Sequence, residues 1–199
     1  MSQADRDKWE ARYRDGAYAN RAYPSPFLVQ ALDMIDSPQT VAKALDLACG
    51  AGRNAVYLAS RGYQVDALDV SETALAIGAD AARQAKLANI EWHVHDLDDP
   101  LPESLHSYHV ISVLRYLNLK SLPSVTERLL PGGYLLVEVH LQTDADVSGP
   151  GRTRFRAAPG ELRSSVSDLD IVEYFEGLVD EPDGSRAAVA RLVGRQKNA

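Results

Sequence analysis

The run Ala44-Leu45-Asp46-Leu47-Ala48-Cys49-Gly50-Ala51-Gly52-Arg53-Asn54 decides the fold of this chain. An apolar segment with strand character stops at a loop of small residues, and the chain restarts as a helix. Gly50 and Gly52 remove side chains where the backbone turns sharply, and the unpaired N–H groups opening the next helix favour an electron-rich ligand. The segment Gly50 to Ala55 also fits the dinucleotide spacing G-x-G-x-x-A, with Asp69 about 20 residues on, where a ribose-binding acid belongs. On that spacing alone, an NAD(P) dehydrogenase is one reading.

Outward from the loop, the pattern alternates. Residues 41–48 read as a strand, 53–61 as a helix ended by Gly62, and 63–70 as a second strand carrying Val65, Ala67, Leu68 and Val70. Ser71 caps a longer helix in which Ala74, Gly78, Ala81 and Ala85 recur at helical spacing, and 90–94 is a third strand. A fourth strand covers 109–114, a helix opens at Ser121 and stops at Pro131-Gly132-Gly133, and a fifth strand covers 134–139. Before the core, Trp9 and Tyr13 sit four apart in a charged helix ending at Gly16. A second helix starts at Ser25-Pro26 with a capping hydroxyl and ends at Ser37-Pro38. After the core, 142–156 is a polar loop suited to a lid or binding loop, 160–166 a short helix, and 170–175 pairs with 187–193 across a turn at Glu181-Pro182-Asp183-Gly184. The expected fold is α/β: a Rossmann-like, doubly wound, mainly parallel sheet of seven strands with a C-terminal antiparallel β-hairpin. One domain of 1–199 is expected, with a helical cap over 1–40 and the α/β core over 41–199.

Composition removes several classes. The 199 residues carry a formal net charge of -7, against the basic surface of a phosphate-driven nucleic-acid binder. The one cysteine, Cys49, cannot form an internal disulfide and reads as a small packing residue. The charged opening is unlike a signal peptide, and no apolar run approaches the ~20 residues that span a bilayer, so a cytoplasmic protein without membrane contact is expected. No Cys/His spacing suits a metal.

Three acids decide between ligands. Asp46 lies near the carboxyl end of the first strand, where it would repel a pyrophosphate and attract a cationic amino group; Asp69 and Asp96 follow the second and third strands on the same rim. Ala48 also replaces the first motif glycine, which makes approach to a diphosphate harder. Three acids suit a ligand with several donors and a positive charge, such as S-adenosylmethionine (SAM). For each acid taken singly, a helix cap or loop residue is the alternative.

With Asp46 to Gly52, Asp69, His95-Asp96-Leu97 and Leu130-Pro131-Gly132-Gly133-Tyr134 in the family's order over residues 44–139, the sequence resembles the class I SAM-dependent methyltransferases. Gly52-Arg53-Asn54-Ala55-Val56-Tyr57-Leu58 and Phe155-Arg156-Ala157-Ala158-Pro159-Gly160-Glu161-Leu162 look like its tellurite-resistance branch, whose relatives include thiopurine-type small-molecule methyltransferases. The resemblance implies that Asp46 and the backbone of Ala48, Cys49, Gly50 and Gly52, with Asn54 behind them, hold the methionine portion of SAM. Asp69 would take the ribose hydroxyls and Val70 the adenine face. Asp96 and Leu97 would take the adenine edge, while Leu114 and Arg115 border the methionine end. Trp9 to Tyr13 resembles the segment that caps the cofactor.

Methyl transfer to a small-molecule acceptor, leaving S-adenosylhomocysteine, is then the implied activity. On the acceptor side Arg115, Tyr116, His140 and Glu161 are candidates, and His140, at a strand's carboxyl end, best suits a general base. A SAM-binding sensor without turnover is the alternative function.

Overall fold

The computed structural model describes residues 3–16, 19, 21–35, 41–151 and 153–198; the expected stop at Ser37-Pro38 lies outside them. Seven strands, β1 (Lys43–Leu47), β2 (Gln64–Asp69), β3 (Ile90–Val94), β4 (Tyr108–Leu114), β5 (Leu129–His140), β6 (Asp170–Asp180) and β7 (Arg186–Arg195), form one sheet in the order β3-β2-β1-β4-β5-β7-β6. The helices are α1 (Gln3–Arg14), α2 (Pro26–Met34), α3 (Arg53–Ser60), α4 (Glu72–Gln84), α5 (Leu122–Thr126) and α6 (Glu161–Ser164). The seven-stranded α/β sheet is the one the sequence implies. The chain divides into two compact units, Met1–Ser112 and Val113–Ala199. Among the described residues, no helix is long and apolar enough to cross a membrane.

In the first unit β1, β2 and β3 pair in parallel, opposing Asp46 to Ala67 and Asp69 to Val94. Ala55, Leu58 and Ala59 of α3 and Ala74, Leu75 and Ala82 of α4 are buried with Leu45, Val65 and Leu68 of the strands. Each such leucine contributes about 1.5–3 kcal/mol by leaving water. Ser71 caps α4 as its hydroxyl and position imply, accepting the Ala74 N–H at 3.1 Å. The Trp92 indole wedges between the start of α3 and the middle of α4. A Cβ at Gly52 would collide with its ring, and one at Gly78 would stand 2.6 Å from its Cη2 and 3.2 Å from the Ala51 carbonyl oxygen. Side-chain-free positions on both helices are thus demanded by one tryptophan. Residues 95–107 join β3 to β4 without a helix, since Pro100 and Pro102 and the acids before them discourage one.

In the second unit β7 pairs antiparallel with both β5 and β6, and the Glu181 N–H donates to the Ser185 carbonyl at 2.7 Å in the hairpin turn. The hairpin strands are longer than their apolar patterns suggest, because β6 alternates exposed and half-buried residues.

Two expectations need correction. The helix from Ser121 ends at Thr126 rather than at the Pro-Gly-Gly triplet, which belongs to β5: the Gly132 N–H and Gly133 carbonyl pair with Gln196, so the glycines extend the ladder. The Ser25 hydroxyl does not cap α2; it is buried without a hydrogen-bond partner among the described residues, while the Ser25 N–H donates to Asn54 Oδ1 at 2.9 Å.

Gly78→Ala should destabilise the chain by about 1–3 kcal/mol in chemical denaturation, through overpacking against Trp92. A loss below about 0.5 kcal/mol would mean that the indole has room to move.

Candidate active site

The loop after β1 turns three times through the left-handed region, at Ala48 (φ 54), Gly50 (φ 56) and Gly52 (φ 73). Ala48 carries a Cβ there, a strain of about 1–2 kcal/mol. Asp69 closes the loop: its Oδ2 accepts the Gly50 N–H at 2.8 Å and its Oδ1 the Ser71 N–H at 3.0 Å. Burial pushes the Asp69 carboxyl up, and those N–H groups pull it back. Asp69 therefore shapes the site as well as lining it.

Asp46 is 1% exposed. Ser112 Oγ donates to its Oδ1 at 2.7 Å, and its Oδ2 has no hydrogen-bond partner among the described residues. The Arg53 charge and the Ala55 backbone also help to hold the carboxylate. Burial pushes Asp46 up to about 7, against the help of Ser112. Burial also pushes the Cys49 thiol up, next to Asp46 and Asp69, which leaves it a packing residue.

Helix α1 buries no residue, yet its Arg6, Glu10 and Tyr13 share one face at helical spacing and reach the same rim. Arg6 Nη2 pairs with Asp96 Oδ2 at 2.8 Å. Glu10 accepts from the Ser71 hydroxyl at 2.7 Å and from the Thr73 hydroxyl, which together lower its pKa. The Tyr13 hydroxyl packs on Gly50, where it leaves no space for a Cβ. Val70 and Leu97 follow their acids half-buried, and Leu114 is buried at the end of β4. Asn54 instead spends its carbonyl oxygen on Ser25, tying α3 to α2.

The second unit gathers a charged cluster at the carboxyl ends of β4 and β5. Arg115 Nε donates to Glu138 Oε1 at 2.8 Å, Arg115 Nη2 to Glu181, and Arg191 Nε to Glu138 Oε2 at 2.6 Å. Arg115 Nη1 lies 3.4 Å from His140 Nδ1. Of the acceptor-side candidates, Arg115 and His140 thus meet. Tyr116 is half-buried beside Arg115, and Glu161 is exposed and accepts the Ala158 N–H at 2.7 Å, at the start of its own helix. Sequence reasoning missed Glu138, Glu181 and Arg191. The available signal was a single charge inside each apolar run, Leu135-Leu136-Val137-Glu138-Val139 and Val189-Ala190-Arg191-Leu192-Val193. The loop 142–156 is pinned by Arg156, whose guanidinium donates to the carbonyls of Pro150, Leu141 and Ser148 at 2.8, 3.0 and 3.3 Å.

A further group, Asp66, Glu91 and His93, comes together on adjacent strands with ligand atoms within 4.8 Å of one another. Its central carboxylate is engaged by protein groups: the Tyr108 hydroxyl and His93 Nε2, both at 2.8 Å, and Lys43 Nζ at 3.9 Å.

The profile of the tellurite resistance protein TehB family matches residues 20–185. The chain belongs to the TehB family. A probable SAM-dependent methyltransferase TehB from Haemophilus influenzae is 29% identical over 178 residues, covering 83% of this chain and 62% of that protein. The crystal structure of Haemophilus influenzae TehB superposes with a TM-score of 0.69 at 28% identity, over 85% of this chain and 61% of that one. The chain thus spans about three fifths of the length of these TehB relatives. A SAM-dependent methyltransferase structure from Methanosarcina mazei, 18% identical with a TM-score of 0.64, shares the fold over 89% of this chain and all of its own length.

Two variants probe the TehB-family loop. Ala48→Gly should stabilise the chain by about 1 kcal/mol, since glycine takes the left-handed turn without strain; a destabilisation would show that the Ala48 methyl packs usefully. Asp46, raised from about 3.9 in the unfolded chain, favours folding fully below about pH 4, and that contribution is lost as pH rises through about 7. Asp46→Asn mimics the protonated group, so its advantage in melting temperature should widen from about pH 5 to 8. A constant gap would refute the raised carboxyl.

Proposed function

We propose that this chain, as a single methyltransferase domain, transfers a methyl group from SAM to a small-molecule acceptor by in-line displacement. The observation that carries the reading is Asp46 Oδ2, a buried carboxylate oxygen beside the glycine loop without a hydrogen-bond partner among the described residues. A buried, half-satisfied carboxylate calls for a cationic donor, and the ammonium of SAM fits where a pyrophosphate would be repelled. SAM supplies an electrophilic methyl on a positively charged sulfur. The TehB relatives from Haemophilus influenzae, named as probable SAM-dependent methyltransferases, support the same cofactor.

In this reading Asp46 and the backbone of Ala48, Cys49, Gly50 and Gly52 hold the methionine end. Asp69 has already given each oxygen to a backbone N–H but keeps lone pairs for the ribose hydroxyls. Asp96, with Val70 and Leu97 flanking, takes the adenine amine, and Arg6 on the same carboxylate secures α1 as the cap. Asn54 keeps the base of α3 in place. Positioning supplies most of the rate: aligning acceptor and methyl is worth on the order of 7–11 kcal/mol, with no acid needed for a departing neutral sulfur.

Calorimetry with SAM and with NAD tests the cofactor: SAM should bind, more tightly as pH rises from about 6 to 8 and Asp46 ionises, and NAD should not. NAD binding without SAM binding would overturn the reading. Asp69→Asn should weaken SAM at least about tenfold, with folding checked by circular dichroism because its one amide oxygen can accept only one of the Gly50 and Ser71 N–H groups; Asp69→Ala is a poorer probe, because it strands both. SAM binding with no S-adenosylhomocysteine formed across thiols, phenols and metalloid oxyanions would favour a sensor.

A further inference from the structure

Trp92 gives β3 its helix-facing side, wedged between α3 and α4. Side chains alternate along a strand, so Glu91 and His93, on either side of Trp92, point to the opposite face. Parallel pairing sets Asp66 of β2 opposite Glu91 and two residues from His93. The three meet there, with ligand atoms all within 4.8 Å of one another. Spacing along the chain does not show this, because the register of two strands creates it.

Asp66 is held from two sides. Its Oδ1 meets His93 Nε2 at 2.8 Å, while its Oδ2 accepts the hydroxyl of the fully buried Tyr108 at 2.8 Å and stands 3.9 Å from Lys43 Nζ. Tyr108 thereby fixes the carboxylate with one oxygen turned to His93, as outer partners fix the ligands of a metal. Glu91 is exposed, and its carboxylate has no hydrogen bond or ion pair among the described residues. Two carboxylates thus meet one ammonium, which leaves a negative charge for a cation. With Lys43, Asn89 and Ser104 the three line a cavity of about 220 Å³, room for the waters that complete a coordination shell.

The spacing suits a first-row divalent ion. Three atoms this close share a point within about 2.8 Å of each, so bonds of about 2.0–2.2 Å need only about half an ångström of movement. The 2.8 Å between Oδ1 and Nε2 is already near the roughly 3 Å that separates neighbouring ligands on such an ion. An imidazole nitrogen beside two carboxylates favours zinc over magnesium or calcium, which take oxygen ligands.

We propose that Asp66, Glu91 and His93 form a divalent-metal site of the zinc type that clips the edge strand β3 to β2. The ion takes the place between His93 Nε2 and Asp66 Oδ1 that a proton otherwise holds, that proton passes to solvent, and Glu91 supplies the third ligand. Lys43, Gln64 and Ile90, the first residues of β1, β2 and β3, line the same cavity, whereas the glycine loop follows the carboxyl end of β1. The site therefore braces the edge of the sheet and has no part in the methyl-transfer reading.

Calorimetry of the full chain with zinc chloride, after treatment with a chelator, should give one site per chain. Glu91→Gln and His93→Gln, with folding checked by circular dichroism, should each weaken it at least about tenfold. His106→Gln, at an exposed histidine outside the cluster, should leave it unchanged. Zinc should also raise the melting temperature of the unaltered chain and not that of Glu91→Gln, because the ion binds the paired strands and not the unfolded chain. No binding at about 0.1 mM zinc, an affinity unchanged in both cluster variants, or equal binding of magnesium would overturn the proposal. None of these readouts needs SAM, so a failure of SAM binding leaves them to decide the metal site.

Discussion

A carboxylate sealed from water with one oxygen unbonded is costly, and Asp46 holds that position at 1% exposure. Its burial follows from its place: β1 lies between β2 and β4, and Ser112 of β4 reaches across to one oxygen. No apolar residue of similar size would need any of this. The arrangement sacrifices stability in the free chain, as functional sites commonly do. The strained Ala48 belongs to the same economy, since the loop's direction matters more than its comfort.

The glycines of the loop answer a different demand from the one a nucleotide fingerprint supposes. Gly52 is held bare by the Trp92 indole and Gly50 by the Tyr13 hydroxyl. The first is a packing requirement between α3, α4 and β3, and the second belongs to the cap. Neither needs a phosphate. A dinucleotide-like spacing can therefore arise from packing alone.

The legibility of the sequence follows from which forces are local. Strands β1, β2 and β4 sit within a residue or two of their apolar runs, because both faces are covered and the pattern has little to contend with. Strand β6 is nearly twice as long as its pattern suggests, because ladder bonds to β7 carry it past its apolar core. The rim acids were readable because each lies at the end of its own strand. The Arg115 cluster was not, for Glu138, Glu181 and Arg191 meet only through antiparallel pairing and a hairpin turn, and nothing in their sequence spacing announces it.

The loop 142–156 owes its shape to one guanidinium binding three carbonyls, together with the Ser148 N–H paired to the Arg186 carbonyl at 2.8 Å. Such a loop is anchored at its ends and at one internal point, and its remaining residues carry little of the core. Lengthening it costs only about 0.6 kcal/mol per doubling. Insertions and substitutions there are accordingly cheap, and they change what lies over His140 without disturbing the strands beneath. Sequence change can therefore accumulate over that edge of the second unit while the strands that carry the Arg115 cluster stay fixed.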